Sequence, residues 1–179
     1  MLVFIYGGSG SGKSVYAENY SRDFKEKNRY YLATMKVSDE ESVKRVEKHR
    51  SQRQGLSFST IELPVDIFKA SNALSEYRED NLILLECMSN LVANEMFRDG
   101  DFLSLEEVVA KVLKDIDTLN NKASTLIIVS NNIFEDGIAY DSYTKEYMRA
   151  LGRINKSLAK QADKIIEVVV GIGIEHENT

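Results

Sequence analysis

The chain opens on "LVFIYGGSGSGKS", residues 2–14, and no other stretch constrains its fold as tightly. Its first five residues are apolar or aromatic and read as a buried strand. The run that follows fits G-x-x-x-x-G-K-[ST] through Gly7, Gly12, Lys13 and Ser14. A helical pattern over about 13–26 comes next, so the motif sits between a strand and a helix. Glycines let the backbone fold tightly around a phosphate with its N–H groups pointing inward. The helix N-terminus adds a positive dipole end. Lys13 is placed to reach β and γ phosphates, and Ser14 to hold Mg²⁺. Gly7, Gly8, Ser9, Gly10, Ser11, Gly12, Lys13 and Ser14 together form the candidate phosphate site. The competing reading, a Gly/Ser-rich turn without a ligand, does not explain the flanking strand and helix.

Further apolar runs at 30–34, 82–87, 125–130 and 165–170 read as buried strands. "SFSTIEL" (57–63) adds a short strand, and "GIGI" (171–174) turns the chain into a terminal one. Helical periodicity fills about 39–53, 65–78, 88–98, 104–121 and 141–161. Alternating strands and helices imply a largely parallel sheet with helices on both faces, in one α/β domain spanning 1–179.

Two more features bear on chemistry. Glu86 ends the strand "NLILLEC", at the edge where open α/β sheets bind ligands. An acid there is suited to orient a magnesium shell, although an ordinary strand-end carboxylate would look the same. The second feature is "VKRVEKHRSQR" (43–53), where His49, one of two histidines, sits among Lys44, Arg45, Lys48, Arg50 and Arg53. Ser38 and Glu41 form a capping-box pattern that sets the helix start. Arg45, His49 and Arg53 then share one face at i, i+4, i+8. That face suits a phosphate-bearing ligand, and a neutral imidazole there is a candidate nucleophile toward phosphorus. A solvated helix pairing its cations with its own glutamates fits the spacing equally well.

The net charge of -5 argues against a general nucleic-acid surface, but a local cation cluster remains compatible with a small anionic ligand. No apolar run approaches the ~20 residues that cross a bilayer. "MLVFIY" lacks the basic flank and cleavage site of a signal peptide. The single cysteine, Cys87, forms no internal disulfide, and a reducing cytoplasm is the expected location.

In order along the chain stand "GGSGSGKSVYAE" (7–18), "YLAT" (31–34), "DEESVKRVEKHRSQR" (39–53), "STIE" (59–62), "LLECMSNLVANEMF" (84–97), "IIVSN" (127–131), "LGRIN" (151–155) and "GIGI" (171–174). With this ordered set the chain resembles the bifunctional adenosylcobinamide kinase/adenosylcobinamide-phosphate guanylyltransferases of cobalamin biosynthesis over nearly its full length. The P-loop is common to many NTPases; the set after it is far more specific. The resemblance implies an α/β P-loop NTPase of the RecA-like type, a mostly parallel sheet flanked by helices. It implies ATP or GTP with Mg²⁺, adenosylcobinamide as corrinoid substrate, and a homo-oligomer, a trimer in the family. It makes His49 the nucleophile that carries GMP, beside Arg45, Arg50 and Arg53. It adds Thr34, Met35, Lys36, Glu62 and Glu86 as nucleotide contacts, with Ser14 and Glu86 toward the metal.

The chain departs from the family pattern at "SNNIFEDGIAYD", where Asn132 stands in place of a glutamate within a changed loop. Glu135 and Asp136 are candidate substitutes. Phe58 replaces a tryptophan, which reads as a packing change. A single-function P-loop kinase and a non-catalytic nucleotide-dependent switch remain open as other readings.

Overall fold

The computed structural model describes residues 1–36, 57–98, 101–133 and 140–177. The expected helix over 39–53, with His49, Arg45, Arg50 and Arg53, lies outside them, as do Glu135 and Asp136.

The expected strands all form: β1 (Leu2–Gly7), β2 (Asn28–Ala33), β3 (Phe58–Glu62), β4 (Asn81–Glu86), β7 (Thr125–Asn131), β8 (Lys164–Val169) and β9 (Ile172–His176). They make one seven-stranded sheet in the order β3-β2-β4-β7-β1-β8-β9. Every pairing is parallel except β8 with β9, which is antiparallel. The central strands are apolar throughout because helices cover both faces. Val3, Ile5, Leu84, Ile127 and Val129 pack toward α1 (Lys13–Tyr20). Leu2, Phe4, Leu85, Leu126 and Ile128 pack toward the opposite face. That face carries α2 (Met88–Met96), α3 (Leu105–Asn120) and α4 (Ser142–Gln161). A small antiparallel pair, β5 (Phe97–Arg98) and β6 (Asp101–Phe102), follows α2.

Helix starts are set by side chains. Ser104 and Glu107 form a reciprocal capping box at α3, and Asp141 accepts from the Thr144 N–H at α4. Helix α1 is shorter than its sequence pattern. It gives way to a 3₁₀ turn at Ser21–Asp23, where the Arg29 guanidinium binds the carbonyls of Ser21 (2.9 Å) and Phe24 (2.6 Å).

The expected helix over 65–78 does not form; only a 3₁₀ segment, Ile67–Asn72, is present. Ile67 and Ala70, its buried residues, are three apart, the period of a 3₁₀ turn. Tertiary ion pairing fixes its start. The Asp66 N–H donates to fully buried Glu95 (2.6 Å), and the Asp66 carboxylate pairs with Lys69, Arg98 and Lys111. Lys111 also reaches Glu95 (2.6 Å) and Asp115 (3.0 Å), so one ion cluster joins α2, α3 and the 3₁₀ segment. These local demands outweigh helical periodicity.

Candidate active site

The register places the chemistry-bearing residues in one row along the C-terminal edge of the sheet. Glu62 pairs with Ala33, Ala33 with Glu86, and Glu86 with Val129. One strand over, Gly7 lies beside Asn131 where β1 ends. The phosphate loop therefore rises at the edge where open α/β sheets place their ligands, with Glu86 two strands away on β4 and Glu62 four strands away on the outer strand β3.

The loop has the backbone that its sequence requires. Gly12 has φ 86°, a left-handed conformation that favours glycine. Gly7 is needed for close approach: a Cβ there would sit 2.5 Å from the Val168 carbonyl oxygen and 2.7 Å from Ser11 Oγ. The Ser11 N–H donates to the Gly8 carbonyl (3.2 Å), and the Gly171 N–H donates to the Ser11 carbonyl (2.7 Å). The turn between β8 and β9 thus braces the loop, giving "GIGI" a structural task. Gly8, Ser9 and Gly10 are exposed at its crest.

Lys13 is buried at the loop's base, its Nζ donating to the Gly8 carbonyl (3.1 Å). Ser14 Oγ donates to Glu86 Oε1 (2.7 Å). A hydroxyl and a carboxylate in contact at the head of α1 fit a magnesium ion that takes its other ligands from phosphate and water. The residues proposed from sequence for the metal are thus brought together. Among the described residues no cluster of three or more His, Cys, Asp or Glu could hold a metal alone.

Thr34 is fully buried against the backbone at the end of β4. Its hydroxyl lies 2.8 Å from the Cys87 carbonyl and 3.1 Å from that of Glu86, and accepts from the Cys87 N–H (2.8 Å). It holds the end of β4 in place. Met35 is partly buried and Lys36 exposed on the segment after β2, and Glu62 is exposed at the end of β3.

Sequence reasoning did not foresee a polar network along this edge. Asn131 Nδ2 donates to Ser89 Oγ (2.6 Å), which lies 3.0 Å from Cys87 Sγ. Ser130 Oγ donates to Asn155 Oδ1 (2.7 Å), and the Tyr147 hydroxyl donates to the Ser89 carbonyl (3.2 Å). "ECMSN", "VSN" and "LGRIN" meet here, which gives these distant motifs a shared physical reason. Burial pushes the Cys87 thiol upward, so it stays neutral in the network.

A second unforeseen group lies across β1. His176 Nε2 is 3.3 Å from Glu167 Oε2 and 3.4 Å from the Tyr6 hydroxyl. Burial first, then the charge of Glu167, raises the Tyr6 phenol and keeps it a donor. The signal available in sequence was the isolated acid in the apolar run "IIEVVV" and the second histidine.

Two hollows flank the loop. One, of about 540 Å³, runs along α1 past Gly12, Tyr16, Tyr20 and Gly171. The other, of about 610 Å³, lies between the loop's Gly8 and Ser9 and the first turns of α4.

A glycine-rich loop at a helix head, a lysine at its base and a hydroxyl–carboxylate pair on a mostly parallel sheet define a P-loop nucleotide-binding protein. Solved ATPase structures share the architecture. One is a prototypical ATPase from the type III secretion system of pathogenic bacteria (TM-score 0.53, 13% identity, 96% of this chain and 56% of that chain). Another is the assembled ATPase EscN from the type III secretion system of enteropathogenic E. coli (TM-score 0.54, 13% identity, 94% and 43%). The chain spans about half the length of these ATPases, and the likeness is one of fold. More specifically, residues 3–176 match the family model described as CobU, cobinamide kinase / cobinamide phosphate guanyltransferase, and the chain belongs to that family. It is 27% identical to the bifunctional adenosylcobalamin biosynthesis protein CobU of Escherichia coli K12, over 98% of this chain and 99% of that protein. The protein of the same name from Salmonella typhimurium LT2 matches with the same identity and coverage. Among the described residues no helix is long and apolar enough to cross a membrane.

Proposed function

We propose that the chain carries out both reactions in its family's description, in the nucleotide-loop assembly of cobalamin. It phosphorylates adenosylcobinamide with ATP or GTP, then transfers GMP from GTP to the product, giving adenosylcobinamide-GDP. The observation that carries this reading is the contact of Ser14 with Glu86 at the head of α1, beside Lys13. In the kinase step Lys13 leaves the Gly8 carbonyl for the β and γ phosphates, and the loop amides hold the nucleotide in line with the acceptor hydroxyl. Ser14 and Glu86 would hold Mg²⁺, whose charge offsets that of the phosphate oxygens.

In the second reaction an imidazole nitrogen of His49 attacks the α-phosphorus of GTP and pyrophosphate leaves. A phosphate oxygen of adenosylcobinamide-phosphate then attacks the same phosphorus, and His49 is released. Arg45, Arg50 and Arg53 would hold the anion during both transfers. The family resemblance supports this assignment, and the i, i+4, i+8 sequence spacing of Arg45, His49 and Arg53 supports it for those three. We further propose a single catalytic domain in a cytoplasmic homo-oligomer, a trimer as in the family.

The test is mass spectrometry of the full chain after incubation with GTP and Mg²⁺, with peptide mapping at alkaline pH, where a phosphoramidate survives. We expect one GMP on His49. His49→Ala should lose the adduct and guanylyl transfer but keep cobinamide phosphorylation, and Lys13→Ala should lose the kinase step. GMP on another residue, or wild-type guanylyl transfer with no adduct, refutes the covalent route. The changed loop at 132–141 favours one alternative, a kinase alone. Its signature is cobinamide phosphorylation with no label retained from α-labelled GTP.

A further inference from the structure

We infer that Glu167 is the proton acceptor for the alcohol phosphorylated in the kinase step, and that the cavity between the phosphate loop and α4 seats the arm bearing that alcohol. The inference rests on the kinase reading above.

The cavity of about 610 Å³ is bordered by Gly8 and Ser9. Lys13 Nζ contacts the Gly8 carbonyl, and this lysine serves the β and γ phosphates, so the cavity opens on the phosphoryl end of the site. Its far wall is Thr144, Tyr147 and Met148 of α4. The volume lies within the ~300–1,000 Å³ of ordinary ligand pockets. It suits a hydroxyl-bearing side arm rather than a whole macrocycle.

Glu167 supplies the one carboxylate lining this cavity among the described residues. Glu86, the other acid near the loop, is already in contact with Ser14. The Glu167 side chain is 31% exposed, so it is open to a ligand yet anchored. His176 stands behind it at 3.3 Å, with Tyr6 against the same imidazole nitrogen. Asn132, where the family pattern has a glutamate, lines the same cavity. The acid is therefore presented from β8 instead of from the end of β7.

In the step itself the acceptor oxygen forms a bond to the γ-phosphorus. The bond from that phosphorus to the β–γ bridging oxygen breaks, and its electron pair leaves with the nucleoside diphosphate. The hydroxyl proton passes to a Glu167 carboxylate oxygen. His176, 42% exposed, then takes that proton out to water.

The test uses the full chain with adenosylcobinamide, ATP and Mg²⁺, measuring kcat, the acceptor KM and the nucleotide Kd. Glu167→Gln should lower kcat by about 100-fold or more while the nucleotide Kd stays within about threefold of wild type. Glu167→Asp keeps the acid but shortens its reach, and should recover part of the rate. His176→Gln should cost less than either, since water can replace the onward carrier. Melting curves check that each variant is folded; if Glu167→Gln is not, Glu167→Asp must still lose about tenfold in kcat. A Glu167 variant at wild-type kcat, or a loss confined to nucleotide Kd, overturns the inference. Wild-type protein that binds nucleotide but leaves the corrinoid unphosphorylated overturns the kinase reading itself, and this inference with it.

Discussion

Thr34→Val separates two roles that the same residue can play. The resemblance implies a nucleotide contact, whereas the structure shows a buried hydroxyl bonded to the backbone at the end of β4. Valine keeps the shape and removes the oxygen. The Cys87 N–H then loses its acceptor, whereas the Cys87 carbonyl loses the hydroxyl but keeps the Leu91 N–H (3.2 Å). The Glu86 carbonyl keeps the Thr34 N–H (3.0 Å). A buried polar group without a partner costs about 1–3 kcal/mol, so the one orphaned N–H should cost about 2 kcal/mol. For a chain of this size about 2 kcal/mol corresponds to a fall in Tm of roughly 4–8 °C. Thr34→Ser keeps the hydroxyl and loses one methyl, worth about 1 kcal/mol. Urea unfolding and thermal melting of the three proteins measure the difference, and nucleotide titration well below Tm measures the ligand role. The expected order is wild type, then serine, then valine. Valine within about 0.5 kcal/mol of wild type would refute the reasoning, because an orphaned buried N–H must cost more than that. If nucleotide affinity were lost while stability held, Thr34 would act as a ligand contact instead.

Two further outcomes follow from geometry and charge. Gly7→Ala places a methyl 2.5 Å from the Val168 carbonyl oxygen, backbone that cannot swing away, so stability should fall by about 1–3 kcal/mol; loop amides displaced with it should also weaken nucleotide binding, and titration showing unchanged affinity would contradict this. Burial pushes the Tyr147 phenol up to about 12 from its ordinary 10.0. Its raised folded value means that the stability held by the neutral phenol is complete below pH 10 and is lost as pH rises through 12. Tyr147→Phe should therefore show a shallower alkaline fall in Tm than wild type; parallel curves between pH 9 and 12 would count against that assignment.

The central strands were legible because they are buried on both faces, and a run such as "LILLEC" has few other places to go. The phosphate loop was legible because its constraint is local: glycine, lysine and serine act within one turn of the chain that carries them. Glu86 was legible for a similar reason, since a strand's last residue is known once the strand is known. Where tertiary contacts decide, local pattern misleads. The apolar spacing over 65–78 looked helical, yet Asp66 is drawn into an ion cluster with Lys69, Arg98 and Lys111, and only a 3₁₀ segment follows it.

Long-range register accounts for what sequence could not give. Tyr6 and His176 are 170 residues apart, and they meet because β1 pairs with β8 and β8 with β9. Glu167 pairs with Tyr6 on one side and with Ile174 on the other, and nothing in "IIEVVV" reveals either neighbour. The same logic separates the loop from the basic segment at 43–53. Its sequence spacing says which residues a helix would put on one face, but not what that face would meet. A motif whose ligand is gripped by its own backbone declares its chemistry in sequence. A residue that works through a partner brought from elsewhere declares only that it is available, so His49 is best tested by searching for a GMP adduct and Glu167 by measuring the rate without it.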